Sequence, residues 1–138
     1  MTTTNATKTQ LTEGVHHAGL TVPDVIATSR FFIEALGFEQ VAEKPAYPAI
    51  FVSDGTIMIT LWQTSDPATA TPFDRRNNIG LHHLAFRTAD LNAVHAVLAA
   101  RDDVKVEFAP ESVGGSETRH LMCQIPGGVR VEFIQPAA

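Results

Sequence analysis

Residues 14–25 read GVHHAGLTVPDV, and residues 80–91 read GLHHLAFRTADL. A constant offset of 66 residues pairs Gly14 with Gly80, His16 with His82, His17 with His83, Leu20 with Phe86, Asp24 with Asp90 and Val25 with Leu91. Four of the six histidines in the chain lie in these two stretches. Self-similarity at this period marks two copies of one supersecondary unit, and it places two equivalent histidines within reach of one site.

In the first copy, Gly14–Val22 alternates and reads as a strand. Asp24 is a helix N-cap, because its carboxylate can accept free N–H groups of the first turn. Val25, Phe32, Ile33 and Leu36 then give an apolar stripe that Gly37 ends. Phe38–Glu43 reads as a strand, and Ala49–Ser53 with Thr56–Gln63 form a hairpin around Asp54-Gly55. The second copy repeats the plan. It has a strand at Gly80–Thr88, an Asp90-capped helix striped by Leu91, Val94, Val97 and Leu98, and a strand at Val104–Phe108. A loop follows at Ala109–Thr118, then a hairpin of Arg119–Ile125 and Val129–Gln135. Residues 64–78, TSDPATATPFDRRNN, lack a period and form the linker. The expected organisation is a polar disordered tail at residues 1–12 and one domain at 13–138, with modules at about 13–63 and 79–136. The fold class is α+β: two tandem βαβββ modules forming a cup-shaped, barrel-like mixed sheet with helices outside. Neither module is large enough to bury its own sheet face, so the two share an interior.

Composition narrows the function. The chain has 138 residues, 44% hydrophobic and 18% charged, with a net charge of −5. That is ordinary globular composition without the basic face that nucleic acid rewards. Cys123 is the only cysteine, which excludes an intrachain disulfide and a cysteine metal cluster. No apolar run reaches the roughly 18 residues of a membrane helix, and the polar start does not resemble a secretion signal. A soluble cytoplasmic protein is the expectation.

Side chains alternate across a strand, so faces can be assigned. Leu20 and Val22 share a face with His16, while His17 shares the other with Gly19 and Thr21. Leu84 and Phe86 lie with His82, and His83 lies with Ala85 and Arg87. The small or polar faces leave room around His17 and His83, which should line a concave interior. On the last strand Val131 and Phe133 face one way, and Arg130, Glu132 and Ile134 the other. A carboxylate in an apolar strand needs a cation or a metal. His17, His83 and Glu132 therefore form a candidate two-histidine, one-carboxylate triad with open metal positions. His16 and His82 read as packing or supporting residues, and His95 as a surface residue. His120 is either an acid/base group or structural. Cys123 is a small core residue.

These stretches resemble the vicinal oxygen chelate superfamily of glyoxalase I, extradiol dioxygenases, fosfomycin-resistance enzymes, methylmalonyl-CoA epimerase and bleomycin-resistance proteins. The resemblance rests on His17-Ala-Gly-Leu-Thr-Val-Pro-Asp24, Phe31-Phe32 through Leu36-Gly37-Phe38, His83-Leu-Ala-Phe-Arg-Thr-Ala-Asp90 and Pro126-Gly-Gly-Val-Arg-Val-Glu132-Phe133. It implies paired modules around a divalent ion (Fe, Mn, Ni or Zn) held by His17, His83 and Glu132. The family's fourth ligand position falls near Thr60, where no ligand stands, so glyoxalase I chemistry is disfavoured. The expected activity is a dioxygenase-like enzyme chelating vicinal oxygens of a small substrate. A lyase or isomerase of glyoxalase I type, a fosfomycin-type transferase and a non-catalytic drug-binding protein are the alternatives. Glu132 and His120 are the expected catalytic residues. Trp62, Phe51 and Arg119 are expected at the substrate, with Arg87, Arg130 and Arg75-Arg76 as further anion contacts or plain surface residues. The resemblance also implies a homodimer, with residues of both chains at the site.

Overall fold

The computed structural model describes residues 9–138, so most of the expected tail lies outside the described residues. The first module contains β1 (His17–Val22), α1 (Val25–Arg30), β2 (Glu39–Lys44), β3 (Ala49–Ser53) and β4 (Met58–Gln63). The second contains β5 (Leu84–Arg87), α2 (Leu91–Ala99), β6 (Lys105–Ser112), β7 (Arg119–Gln124) and β8 (Arg130–Gln135). Each module is βαβββ, as the repeat requires. No helix among the described residues is long and apolar enough to cross a membrane.

The strands form two four-stranded mixed sheets, ordered β1-β4-β3-β2 and β5-β8-β7-β6. The first strand of each module runs parallel to the last, and the other pairs are antiparallel. The expected α+β fold of paired βαβββ modules is present, its mixed sheet built as two four-stranded sheets that do not close on each other. Among the described residues, no ladder of backbone hydrogen bonds joins them, and the modules meet through side chains instead. Phe86 on β5 lies 6.3 Å from Phe32 and 5.8 Å from Phe38, ring centre to ring centre, and stacks on Phe133 of its own module. Thr28 Oγ1 donates to the Pro126 carbonyl at 3.0 Å. Gly127, at φ +103°, lets the β7–β8 turn press on Val22, Pro23 and Thr28, which a Cβ would meet at 3.3–3.4 Å. One contiguous apolar core results, containing Leu20, Phe31 and Leu61 from one module and Leu91, Leu121 and Val131 from the other.

Both helices start as expected. Asp24 Oδ1 accepts the N–H groups of Ile26 and Ala27, and Asp90 Oδ1 accepts that of Ala93. A further repeated bond accompanies each cap. Gln63 at the end of β4 accepts the Val25 N–H, and Gln135 at the end of β8 accepts the Leu91 N–H. These glutamines pin each helix start to the last strand of its own module.

The helix stripes differ from expectation in detail. A π-helical segment, Phe31–Ala35, continues α1. Its wider turn shifts the phase, so adjacent Phe31 and Phe32 are both buried and Ile33 faces solvent. Val97 on α2 is likewise exposed, one step off the Leu91–Leu98 stripe. Strand limits change as well. Residues 80–83 precede β5 rather than joining it, and β6 runs through Ala109–Ser112, which the sequence reads as loop. Register shifts after Val106 and Phe108 let β6 pass Pro110 and still pair with Arg119 and His120.

Candidate metal and acid/base site

The last strand of the second module places Glu132 on the sheet face away from the core, beside Ala85 and Met122 in register. Its side chain is 13% exposed, so the carboxylate needs partners. Two imidazoles supply them. His83 Nε2 lies 3.2 Å from Oε1, and His120 Nδ1 lies 2.5 Å from Oε2. The His120 ring also packs edge-on against Phe108, with centroids 4.9 Å apart. Three residues that the sequence singles out, His83, His120 and Glu132, are thus brought together.

His17 is not among the partners of Glu132. It is exposed at the start of β1, with Nδ1 2.9 Å from Nδ1 of His16. His82 and His83 repeat this pairing at 2.8 Å. Among the described residues, no group of three or more His, Cys, Asp or Glu side chains is arranged to hold a metal ion. The donor chemistry fits a divalent ion in part. An imidazole nitrogen and a carboxylate oxygen 3.2 Å apart have the spacing of neighbouring ligands each about 2.1 Å from one ion.

Thr60 occupies in β4 the place that Glu132 occupies in β8. It pairs with Gly19 as Glu132 pairs with Ala85. Thr60 is buried, and its Oγ1 accepts the Trp62 indole N–H at 2.9 Å. A Cβ on Gly19 would come within 3.1 Å of that oxygen. The first module fills this position with a buried hydroxyl bonded to the Trp62 indole, where the second has a carboxylate. Trp62 stands between Tyr47 at 4.7 Å and Phe51 at 5.5 Å, forming an aromatic cluster on the same sheet. Arg119 donates to the Pro110 carbonyl across its own hairpin at 3.5 Å.

Sequence reasoning missed a polar network behind His83. Arg130 Nε and Nη2 donate to the two oxygens of Glu107, both at 3.0 Å, and Gln124 donates to the same carboxylate. Arg130 Nη1 reaches His82 at its carbonyl, 3.4 Å, and at ring Nδ1, 3.3 Å. The guanidinium holds the Glu107 carboxyl down at about 2, against the opposing effect of burial. Desolvation, followed by the Arg130 charge, lowers the His82 pKa. Burial pushes the Cys123 thiol up to about 12, which leaves it an inert core group, as expected. The signal for the network was a charged residue in each of two strands, but the β6 bulge concealed that they face one another.

A cavity of about 530 Å³ lies between β1, the linker and the β7–β8 turn, with Gly19, Thr21, Phe73, Leu81 and Arg130 among its walls. His83, His120 and Glu132 are not among them. The chemistry is better located by the converging side chains than by this hollow, because only the former places metal-type donors together.

Comparison with known proteins agrees with this architecture. Residues 14–133 match the model of the Glyoxalase/Bleomycin resistance protein/Dioxygenase superfamily. The chain is 26% identical to a 2-epi-5-epi-valiolone epimerase from Actinomyces sp., over 87% of this chain and 78% of that protein. Among solved structures, it is similar to a glyoxylase/bleomycin resistance protein/dioxygenase domain from Frankia sp. EAN1pec. That match has a TM-score of 0.76 at 21% identity and covers 91% of this chain and 93% of that one. It is also similar to a genomically encoded fosfomycin resistance protein from Listeria monocytogenes, with a TM-score of 0.72 at 15% identity, covering 92% and 96%. These two likenesses speak to the fold. With the family model spanning both modules, the chain belongs to the glyoxalase/bleomycin resistance protein/dioxygenase superfamily.

Proposed function

We propose that this chain is a divalent-metal-dependent enzyme that chelates two neighbouring oxygens of a small substrate through His17, His83 and Glu132. The observation that carries the reading is the convergence of His83 Nε2 and Glu132 Oε1, with His120 on the second carboxylate oxygen. His17 is the third donor. No three donors meet among the described residues, so in this reading two copies complete each site. One protomer contributes His17, and its partner contributes His83 and Glu132.

A bound Fe, Mn, Ni or Zn ion would supply Lewis-acid stabilisation of enolate- or phenolate-like charge on the chelated oxygens. Glu132 holds His120 by its Nδ1–H, which leaves Nε2 as the nitrogen that exchanges a proton with substrate. Trp62 and Phe51 offer an apolar wall, and Arg119 an anion contact. This arrangement favours proton transfer at a carbon beside a carbonyl, the chemistry of an isomerase, epimerase or lyase. Similarity to an epimerase supports the same class. A dioxygenase-like cleavage of a catechol-type substrate is the second reading. It is favoured by the three-donor set, in which Thr60 replaces a fourth ligand.

The test is to strip the protein of metal and reload it with each ion in turn. Each form is then assayed with cyclic hydroxyketones, catechols, hemithioacetals and fosfomycin plus thiol. The expected result is turnover of one class that depends on metal and is lost in His83→Ala. A folded protein that takes up no ion would sink the enzyme reading and leave a non-catalytic binding module.

A further inference from the structure

Residues 64–78 carry no repeating pattern, yet they build one wall of the cavity of about 530 Å³. Two aspartates order this linker. Asp66 accepts the Ala68 N–H and the Thr69 hydroxyl, and Asp74 accepts the Arg76 N–H and the Asn77 amide. Next to Asp74, the Phe73 ring packs on Gly80, where an added Cβ would meet it at 3.4 Å.

The cavity has the character of a small-molecule site. Its volume lies within the roughly 300–1,000 Å³ of such sites. Phe73, Ile79 and Leu81 line it and remain exposed, so the body of a ligand would remove their apolar surface from water. Thr64 lines it as well, and its Oγ1 is buried with no hydrogen-bond partner among the described residues. An unpaired buried hydroxyl is costly, and a polar group bound beside it recovers that cost. A second hollow, of about 330 Å³, shares Phe73, Gln124, Gly128 and Arg130 with the first and adds Asp74 and Arg75. An apolar chamber thus adjoins a polar mouth.

The three charged residues of this mouth differ in their partners. Arg130 is committed to Glu107 in a forked pair, both bonds at 3.0 Å. The Asp74 carboxylate is turned into its own loop by the Arg76 and Asn77 donors. Arg75 is left over: among the described residues it forms no ion pair. A guanidinium with its donors unused is matched by a carboxylate, which can accept two of them at once.

We propose that the chamber and its mouth form a binding site for a small organic carboxylate, with its apolar body among Phe73, Ile79 and Leu81 and its acid group on Arg75. This site binds rather than transforms. No histidine, cysteine or lysine is among its walls, and His83, His120 and Glu132 lie outside it. It stands whether or not those three residues take part in holding a metal ion.

The experiment uses full-length, metal-free protein labelled with ¹⁵N and ¹³C, at about pH 7. Two probes of similar shape are titrated to millimolar concentration: trans-cinnamate, which is ionised at this pH, and the neutral cinnamyl alcohol. Cinnamate should shift the methyl signals of Ile79, Leu81 and Val129 and the Arg75 side-chain N–H, and should bind about tenfold or more tightly than the alcohol. Arg75 is exposed, so Arg75→Met should fold as wild type does and should erase that preference while leaving the alcohol's affinity unchanged. Equal binding of the two probes, or an Arg75→Met protein that keeps the preference, would overturn the proposal. So would shifts that gather around His83, His120 and Glu132 in place of the cavity. Cavity signals that answer to protein dilution and not to cinnamate would assign this face to a second copy of the chain and overturn it too.

Discussion

Along β4 the first module presents Met58, Thr60 and Trp62, and at the equivalent positions of β8 the second presents Arg130, Glu132 and Ile134. The neighbouring strands differ in the same sense. Ala49 pairs with Trp62 where His120 pairs with Ile134. Backbone plan, helix caps and the glutamine that pins each helix start are shared. Along these central strands the residues that bear charge have diverged. One copy has sealed its central position with a threonine hydroxyl under an indole, and the other keeps a carboxylate between two imidazoles. A duplicated fold can hold its structure in both halves while the chemistry gathers in one.

The contrast can be broken most sharply by exchanging the central residues. Glu132→Thr writes the first module's residue into the second. It should lower zinc affinity by more than about 100-fold in calorimetric titration, beyond the usual cost of losing an outer partner. The reverse exchange, Thr60→Glu, should not create a fourth ligand. Position 60 is buried beneath the Trp62 indole, so the stranded charge should cost about 3 kcal/mol or more in denaturant unfolding. A stable Thr60→Glu protein with tighter zinc binding would show the two positions to be interchangeable.

Glu107 tests the second module's extra ion pair. Its pKa is lowered from 4.5 to about 2 when folded. A depressed carboxylate contributes stability that is fully present above about pH 4.5 and is lost as pH falls toward 2. Glu107→Gln should therefore reduce stability at neutral pH by about 1–3 kcal/mol and flatten the fall between pH 4.5 and 2, as followed by circular dichroism. The smallest effects belong to the shared caps. Asp24→Ala and Asp90→Ala should each cost about 1 kcal/mol in thermal unfolding, with Asp24 the larger because it holds two N–H groups to one for Asp90.

Much of this was legible in the sequence, for stated reasons. The 66-residue repeat identifies paired modules, and alternation places His83 and Glu132 on one face. Asp24 and Asp90 announce caps because their carboxylates precede apolar stripes. What periodicity cannot supply is partnership between distant strands. The Glu107–Arg130 fork depends on a bulge in β6 that breaks alternation between Val106 and Phe108. The π turn at Phe31–Ala35 moves Ile33 to solvent because the local period changes mid-helix. The separation of the two sheets was likewise hidden, since a pattern that assigns faces says nothing about which edges pair. The same limit applies to His17, whose strand face is clear from alternation while its companions are not.

In the proposed function, His83 and Glu132, with a histidine from the first module, hold one divalent ion per chain. Elemental analysis of purified protein after exposure to manganese, iron, nickel and zinc in turn tests it most directly. One bound ion per chain is expected for at least one of these metals, and none in His17→Ala protein that remains folded. Metal-free wild type under every condition, or equal metal content in the His17→Ala variant, would contradict it.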